Sequence, residues 1–147
     1  MNKQLLHQHL IKSQEEIIHD LREKIASSNG MVDIDETDTI DPEDLSHQTE
    51  SGEMKQLFEK KLFRAEVELN QLKNLNVDQK SLVEAGAFVA TEKFHFFVGH
   101  ATMPFDFEGK HIVGISVDSP IFPTMKGKGN GDSFSHAGND YKILEIN

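Results

Sequence analysis

Carboxylates without compensating bases make one segment of the chain the first candidate for chemistry. Of the 25 acids, nine lie between Lys24 and Lys55, an interval that contains no Lys or Arg. The remaining 16 acids and 15 bases nearly cancel, so this segment accounts for almost all of the net charge of −10. Such a segment suits metal ions, basic protein surfaces or a solvated, disordered loop without a partner. No basic patch stands out elsewhere, which argues against direct binding to a nucleic-acid backbone.

The same acids also have a purely structural interpretation. Asp41-Pro42-Glu43-Asp44 has the pattern of a helix start, with Asp41 as N-cap and Pro42 at the first helical position. Acids in the first turn are favoured by the helix dipole. A structural role and a chemical role for Asp41 and Asp44 do not exclude each other. Nearby, His47 is interpreted either as an ordinary exposed residue or as a pH-sensitive charge.

A calcium loop is a further interpretation of the acidic segment. Positions 1, 3, 5, 9 and 12 of an EF-hand register are occupied by Asp33, Asp35, Thr37, Asp41 and Asp44. The sixth position is Asp38 where the motif requires Gly, and the twelfth is Asp where it has Glu. Asn29-Gly30 interrupts the helix that would have to enter the loop. The match to a calcium loop is therefore poor.

Two helices are expected to position the acidic segment. Apolar side chains recur at helical spacing in residues 3–27 and, with the 3.5-residue repeat of a coiled-coil seam, in residues 52–75. They are Leu6, Leu10, Ile17, Leu21 and Ile25 in the first helix and Phe58, Leu62, Ala65, Leu69 and Leu72 in the second. Two helices of similar length joined by a polar segment predict an antiparallel hairpin over residues 1–77. The acidic tip, near residues 31–50, then lies at the far end of a stiff rod.

Residues 78–147 have the pattern of a β-rich domain, which gives an α+β fold class. Six aromatic or β-branched runs, separated by turn residues, span residues 82–91, 94–101, 105–107, 111–117, 132–136 and 141–146. Gly109-Lys110 and Gly138-Asn139 predict tight turns. A short helix is expected over residues 119–126, with Ser119 as N-cap and Pro120 at the first helical position.

Separated pieces of this second half carry a family resemblance. They are Ile115-Ser116-Val117-Asp118-Ser119-Pro120-Ile121, Met125-Lys126-Gly127-Lys128, Gly131-Asp132 and Tyr141-Lys142-Ile143-Leu144-Glu145-Ile146. In this order and spacing they resemble the ending of the GreA/GreB transcription elongation factors. Asp44-Leu45-Ser46-His47-Gln48-Thr49-Glu50 stands where that family carries a D-L-[SK]-E-N-A-E type motif at the tip of a helical hairpin. The chain also looks like short Gre-like proteins with a varied tip.

The resemblance implies an FKBP-like C-terminal domain that docks on core RNA polymerase beside its secondary channel. The hairpin would enter that channel toward the active site. Ser119, Pro120 and Ile121 are then either part of the docking surface or buried turn residues. The fold alone gives no reason to assign a prolyl isomerase site. The protein is expected to be an accessory factor, not an enzyme, because the polymerase would perform any RNA cleavage.

The tip chemistry implied by the resemblance is two-metal hydrolysis, with Mg²⁺ shared with the polymerase and no cofactor bound stably. Asp44 matches the first of two family carboxylates and is the possible Mg²⁺ ligand. The second position is His47, and imidazole is a poor ligand for magnesium. Asp41, Glu43 or Glu50 could substitute. Cleavage stimulation and inhibition without cleavage therefore both remain open.

The bulk composition fits a cytoplasmic protein. The chain has no cysteine, which excludes disulfides and thiolate sites. Its first ten residues lack the pattern of a signal peptide, and no apolar run approaches the length of a membrane span. An alternative function from another class is a coiled-coil interaction module that binds a different basic protein through the acidic tip.

Overall fold

The computed structural model describes the backbone of residues 1–32 and 42–147 and the side chains of residues 1–27 and 52–147. Helix α1 (Lys3–Val32) and helix α2 (Pro42–Lys73) form a hairpin. Six strands and a short helix follow: β1 (Phe88–Thr91), β2 (His95–Val98), β3 (Phe105–Phe107), β4 (Lys110–Ile115), α3 (Phe122–Met125), β5 (Ser133–His136) and β6 (Asn139–Ile146). This confirms the α+β class, with a helical hairpin before a largely antiparallel sheet.

Both long helices extend further into the acidic segment than the apolar period predicts. The expected helices were 3–27 and 52–75, whereas α1 continues to Val32 and α2 begins at Pro42. Once a helix has formed, each added residue costs little, so polar residues without proline extend it. Proline is tolerated at the first helical position because that position needs no backbone donor. The start at Pro42 agrees with the structural interpretation of Asp41-Pro42-Glu43-Asp44, although Asp41 lies outside the described residues.

Contacts divide the chain into two compact units. The hairpin unit contains Ile11–Asn70, and the sheet unit contains Met1–Leu10 and Gln71–Asn147. The first and last turns of the two-helix segment thus belong to the same unit as the sheet. The domain boundary after residue 77 is not tested by this division and stays a prediction.

The hairpin unit is held by an antiparallel seam. Gln14 contacts Ala65, and Lys24 lies over the ring of Phe58, so contacts that advance along α1 retreat along α2. The apolar cluster combines Ile18, Leu21 and Ala65 with partly buried Phe58, Leu62 and Leu69. The predicted α2 side of this seam is confirmed.

One predicted seam position in α1 is wrong. Ile17 is 49% exposed, whereas Ile18 is 4% exposed. The seam runs through Leu10, Gln14, Ile18 and Leu21, and Gln14 occupies a buried position as a polar residue. A period counted from apolar residues alone skips Gln14 and therefore selects the wrong isoleucine.

The sheet unit is a six-stranded sheet with the order β3-β4-β2-β1-β6-β5. Every adjacent pair is antiparallel except β2 and β4, which are parallel. The two hairpin turns have positive φ at both central residues: Glu108 and Gly109 between β3 and β4, and Ala137 and Gly138 between β5 and β6. Type I′ turns require such backbone angles. Both turns lie one residue earlier than predicted.

The core of the sheet unit is formed by side chains from every strand except β3, from the segment before β1 and from α3. The fully buried members include Val83, Val89, Val98, Met125 and Ile143. Around its edge, Phe134 stacks on Tyr141 with ring centroids 5.0 Å apart, and Lys93 lies 5.3 Å from the centroid of the Tyr141 ring. The aromatic runs that predict strands therefore also supply the core.

The short helix begins later than the sequence predicts. Helix α3 starts at Phe122, and its N-cap is Ile121, which makes no side-chain capping hydrogen bond. Ser119 and Pro120 instead form turns: the N–H of Ser119 donates to the carbonyl of Ser116 (3.0 Å), and that of Phe122 donates to the carbonyl of Ser119 (3.1 Å). Proline is favoured at the second position of a β-turn, which competes with its role at a helix start.

Candidate functional site

The predicted tip residues fall on the first turns of α2. Glu43, Asp44, His47 and Glu50 all lie within its helical backbone. On a helix, residues three or four apart share a face, so positions 43, 47 and 50 are neighbours and position 44 is adjacent to position 47. Their side chains, Asp41 and residues 33–41 of the calcium-loop register lie outside the described residues. The tip as a chemical site therefore stays a prediction.

Metal binding has no support among the side chains that the structure describes. Within the described residues, no group of three or more His, Asp or Glu side chains could hold a metal ion. Asp106 and His111 do pair across β3 and β4, with Oδ1 and Nδ1 2.8 Å apart, but both are exposed and no third ligand joins them. The magnesium expectation for Asp44 concerns side chains that are not described, so it stays a prediction.

The residues of the expected docking surface lie in two consecutive turns between β4 and α3. Val117 is 44% exposed in the first turn, and Pro120 is exposed in the second. Ile121 is partly buried and packs against the core of the sheet unit. The side-chain hydroxyl of Ser116 accepts a hydrogen bond from the N–H of Asp118 (3.0 Å). This segment is thus anchored at Ile121 and presents Val117 and Pro120 to solvent.

Two of the separated sequence pieces that carry the family resemblance, Gly131-Asp132 and the terminal strand, are joined by backbone hydrogen bonds. The N–H of Gly131 donates to the carbonyl of Ile143 (2.9 Å), and the N–H of Ile143 donates to the carbonyl of Asp132 (2.8 Å). The Asp132 carboxylate accepts a hydrogen bond from the N–H of Gly129 (2.8 Å). The Gly-Asp turn therefore closes onto β6, the strand that contains the terminal piece of the pattern.

The piece before that turn is tied to the segment that precedes β1. The N–H of Gly127 donates to the carbonyl of Val83, and the N–H of Val83 donates to the carbonyl of Lys128, both at 2.9 Å. Gly127 has a φ of +77°, a conformation that glycine adopts without strain. The spacing of glycines in the pattern thus reflects backbone geometry that holds α3 beside the sheet.

The first turns of α1 contain two polar side chains with tertiary hydrogen bonds, Lys3 and His7, that the sequence analysis did not select. The Nζ of buried Lys3 donates to the carbonyls of Asp78 (2.6 Å) and Gly86 (3.1 Å). Burial, and then the charge of Lys80, lowers the pKa of Lys3 from 10.5 to about 8. The Nε2 of His7 lies 2.6 Å from the carbonyl oxygen of Leu72. These groups fasten the start of α1 within the sheet unit.

A heptad pattern in the sequence could have predicted two polar contacts of α1, those of His7 and Gln14. His7 and Gln14 are seven residues apart, and their carbonyl partners, Leu72 and Ala65, are also seven apart. Such equal spacing is expected when polar residues occupy equivalent positions of a coiled-coil seam. No comparable signal exists for Lys3, because its acceptors, the carbonyls of Asp78 and Gly86, lie beyond the end of α2 and outside the coiled-coil repeat.

His95 is a strand residue, as the sequence predicts, but its environment is unusual. It lies in β2, and its Nδ1 is buried without a hydrogen-bond partner among the described residues. Burial, and then the nearby charge of Lys110, lowers the pKa of His95 below its ordinary value. The ring of Phe88 is 5.6 Å away. A neutral imidazole is therefore favoured at this position.

Among solved structures, the chain is similar to the crystal structure of GreA factor homolog 1 (Gfh1) of Thermus thermophilus. The identity is 13%, the match covers 93% of this chain and 94% of that chain, and the TM-score is 0.34. No protein-family model and no curated protein sequence matches the chain. At that TM-score and identity the likeness decides neither fold nor function. In the described part of the chain, no helix combines the length and the apolar character that a membrane span requires.

Proposed function

We propose that this protein is a regulator of transcription elongation that binds core RNA polymerase at the secondary channel and brings its acidic hairpin tip toward the active site. The observation that supports the proposal best is the contiguity of the Gre-like sequence pieces. Turn residues 115–121, helix α3, the Gly-Asp turn and β6 belong to one compact unit. Within that unit, backbone hydrogen bonds join the Gly131-Asp132 piece directly to Ile143 of the terminal piece.

The hairpin and its charge supply the second part of the proposal. Helices α1 and α2 pair antiparallel, as a rigid probe requires, and the nine uncompensated acids lie in the segment that joins and flanks their ends. A concentrated negative charge favours a site that holds cations or basic side chains. The secondary channel of a polymerase, which leads to bound magnesium, has that chemistry.

The tip favours inhibition or modulation over cleavage. Magnesium prefers oxygen ligands, and His47 replaces the second carboxylate of the family motif. On the α2 backbone, positions 43, 44 and 50 each lie three or four residues from position 47. We therefore propose that the tip modulates the polymerase electrostatically and does not complete a two-metal site.

A binding measurement with core RNA polymerase tests the proposal. Pro120→Asp introduces a charge at the exposed turn, and Met103→Asp is the matched control because Met103 is an 83% exposed apolar residue elsewhere in the sheet unit. We expect Pro120→Asp to weaken binding by about tenfold or more, as placing an unpaired charge in an interface does. Met103→Asp should bind like the wild type.

Three results would count against this function. If the wild-type protein does not bind core polymerase, the proposal is wrong. If both variants bind equally well, the turn of Pro120 is not the docking surface. Recovery of other proteins from an extract, without polymerase subunits, would favour the alternative function as a coiled-coil interaction module.

A further inference from the structure

The outer face of α2 exposes apolar side chains that the intramolecular seam does not use. Phe63 is 70% exposed and Val67 is 41% exposed. A groove of about 650 Å³ runs along this face and is lined by Gln56, Glu59, Lys60, Phe63, Arg64 and Val67. Neighbouring exposed apolar groups bounded by charges are typical of contact surfaces. All six residues belong to the hairpin unit.

This exposed face continues along α2 through two polar positions. Gln56, Lys60, Phe63 and Val67 are separated by four, three and four residues, as positions on one helix face are, and Phe63 and Val67 are the apolar members. These four positions are called the outer stripe. The inner seam of α2, through Leu62, Ala65 and Leu69, lies on the opposite side of the helix and packs against α1. Helix α2 therefore has apolar side chains on two opposite faces, of which one is covered within the chain.

The charges beside the outer stripe identify what can cover it. Glu59 and Arg64 lie on opposite flanks of the stripe and are five residues apart. In a parallel pair of identical helices, the residue on one flank faces the residue five positions further along the other helix, so each Glu59 meets an Arg64. In an antiparallel pair, each Glu59 faces a Glu66, which is repulsive. The flanking charges thus favour a parallel pair, in which the two Lys60 side chains face each other across the seam.

These charges are also available for pairing. Among residues with described side chains, Arg64 has no ion-pair partner. Among the described side chains, Glu59 pairs loosely, at 4.0 Å, with Lys55 of the preceding turn. Exposed i,i+4 pairs of this kind contribute little stability, so exchanging it for an intermolecular pair costs little.

We propose that the outer face of α2 is a self-association surface on which two copies of the chain pair in parallel. Phe63 of each copy packs on Phe63 of the other, and each Glu59 pairs with the Arg64 of the other copy. The stripe is short and includes Lys60, whose charge at a seam position favours specificity over strength. The dimer therefore belongs to the weak, concentration-dependent class. This inference does not depend on the proposed polymerase function.

Sedimentation of the full chain over a wide concentration range tests the association. Phe63→Ser should weaken it by at least about a hundredfold, because each dimer loses two central aromatic contacts. Met103→Ser is the control, since Met103 is even more exposed but lies in the other unit. A wild-type protein that stays monomeric at all concentrations would overturn the proposal, as would equal association of Phe63→Ser.

A charge exchange tests the partner and its orientation. Glu59→Arg and Arg64→Glu should each weaken the dimer by about tenfold, because each places like charges together twice. The double variant restores both pairs and should associate within about threefold of the wild type. Failure of the double variant to recover would show that Glu59 does not meet Arg64 of a second copy.

Cysteine cross-linking gives an independent test, because the chain has no cysteine of its own. In a parallel pair, residues 56 and 67 each face the same residue of the other copy. Gln56→Cys alone and Val67→Cys alone should therefore form disulfide-linked dimers on mild oxidation, and adding Phe63→Ser should abolish them. Cross-linking only when the two cysteine variants are mixed would establish an antiparallel pair and refute the proposal.

Discussion

The titration of Lys3 tests how the start of α1 is held in the sheet unit. Its Nζ is bonded to two backbone carbonyls, those of Asp78 and Gly86. Burial is the main cause that lowers its pKa from 10.5 to about 8, and the charge of Lys80 adds to it. Lys3→Met keeps a long, flexible and largely apolar side chain but removes the titrating group. The difference between wild type and variant therefore isolates one ionisation.

The sign of the effect follows from proton binding. In the unfolded chain Lys3 has its ordinary pKa of 10.5, so between pH 8 and 10.5 the unfolded state binds more protons than the folded state. Stability must then rise with pH across this window, relative to the variant. The pKa change corresponds to roughly 3 kcal/mol. About 1–2 kcal/mol remains after allowance for solvent screening, because neighbours such as Glu84 are exposed.

Urea unfolding of wild type and Lys3→Met, at a pH below 8 and again near pH 10.5, measures this difference. We expect the free energy of unfolding of the wild type, relative to that of the variant, to rise by about 1–2 kcal/mol from the lower to the higher pH. Lys142→Met, at an exposed position of β6, is the control and should show no such gain. A difference that stays constant or shrinks with rising pH would refute the assignment of Lys3 as a desolvated ammonium group.

Three further predictions concern the seam, the sheet and the tip. Gln14→Ala should lower the free energy of unfolding by about 1.5–3 kcal/mol, because it removes a buried hydrogen bond and leaves a cavity. Gln14→Leu should stay within about 1 kcal/mol of the wild type. Urea unfolding followed by helical circular dichroism measures both values, and a Leu variant less stable than the Ala variant would contradict the prediction. Because the folded state lowers the pKa of His95, the wild type should lose stability relative to His95→Leu as pH falls below 6.5, and parallel pH profiles would refute it. His47→Glu restores the second tip carboxylate and should confer transcript cleavage on stalled polymerase complexes, an effect that Asp44→Ala must remove again.

The positions of the strands were predictable because their signals are local. Aromatic and β-branched runs bounded by turn residues located all six strands, and glycines located both hairpin turns to within one residue. The parallel pairing of β2 with β4 has no such local signal. The chain reverses direction between β2 and β3 and again in the tight hairpin between β3 and β4. Strand β4 therefore runs parallel to β2, with which it pairs. Pairing of this kind depends on packing distant in sequence.

The start of α3 shows where two local signals conflict. Ser119-Pro120 fits both a capped helix start and the first half of a β-turn, and the turn is what forms. Ile121, the N-cap residue of α3, is partly buried and packs against the core, a contact that the local sequence does not indicate. Tertiary packing thus decides between two patterns that the sequence allows equally.

A polar residue inside the seam explains why the sequence analysis placed the wrong isoleucine of α1 in it. Counting apolar residues placed Ile17 in the α1 seam, because Gln14 interrupts the true series of Leu10, Gln14, Ile18 and Leu21. A buried polar side chain is tolerated there because its amide donates to the Ala65 carbonyl, and the satisfied bond fixes the register of the two helices. The coiled-coil repeat must therefore be followed through polar positions as well. By the same rule, the outer stripe of α2 includes the polar residue Lys60, and the exposed Phe63 then lies within a continuous stripe.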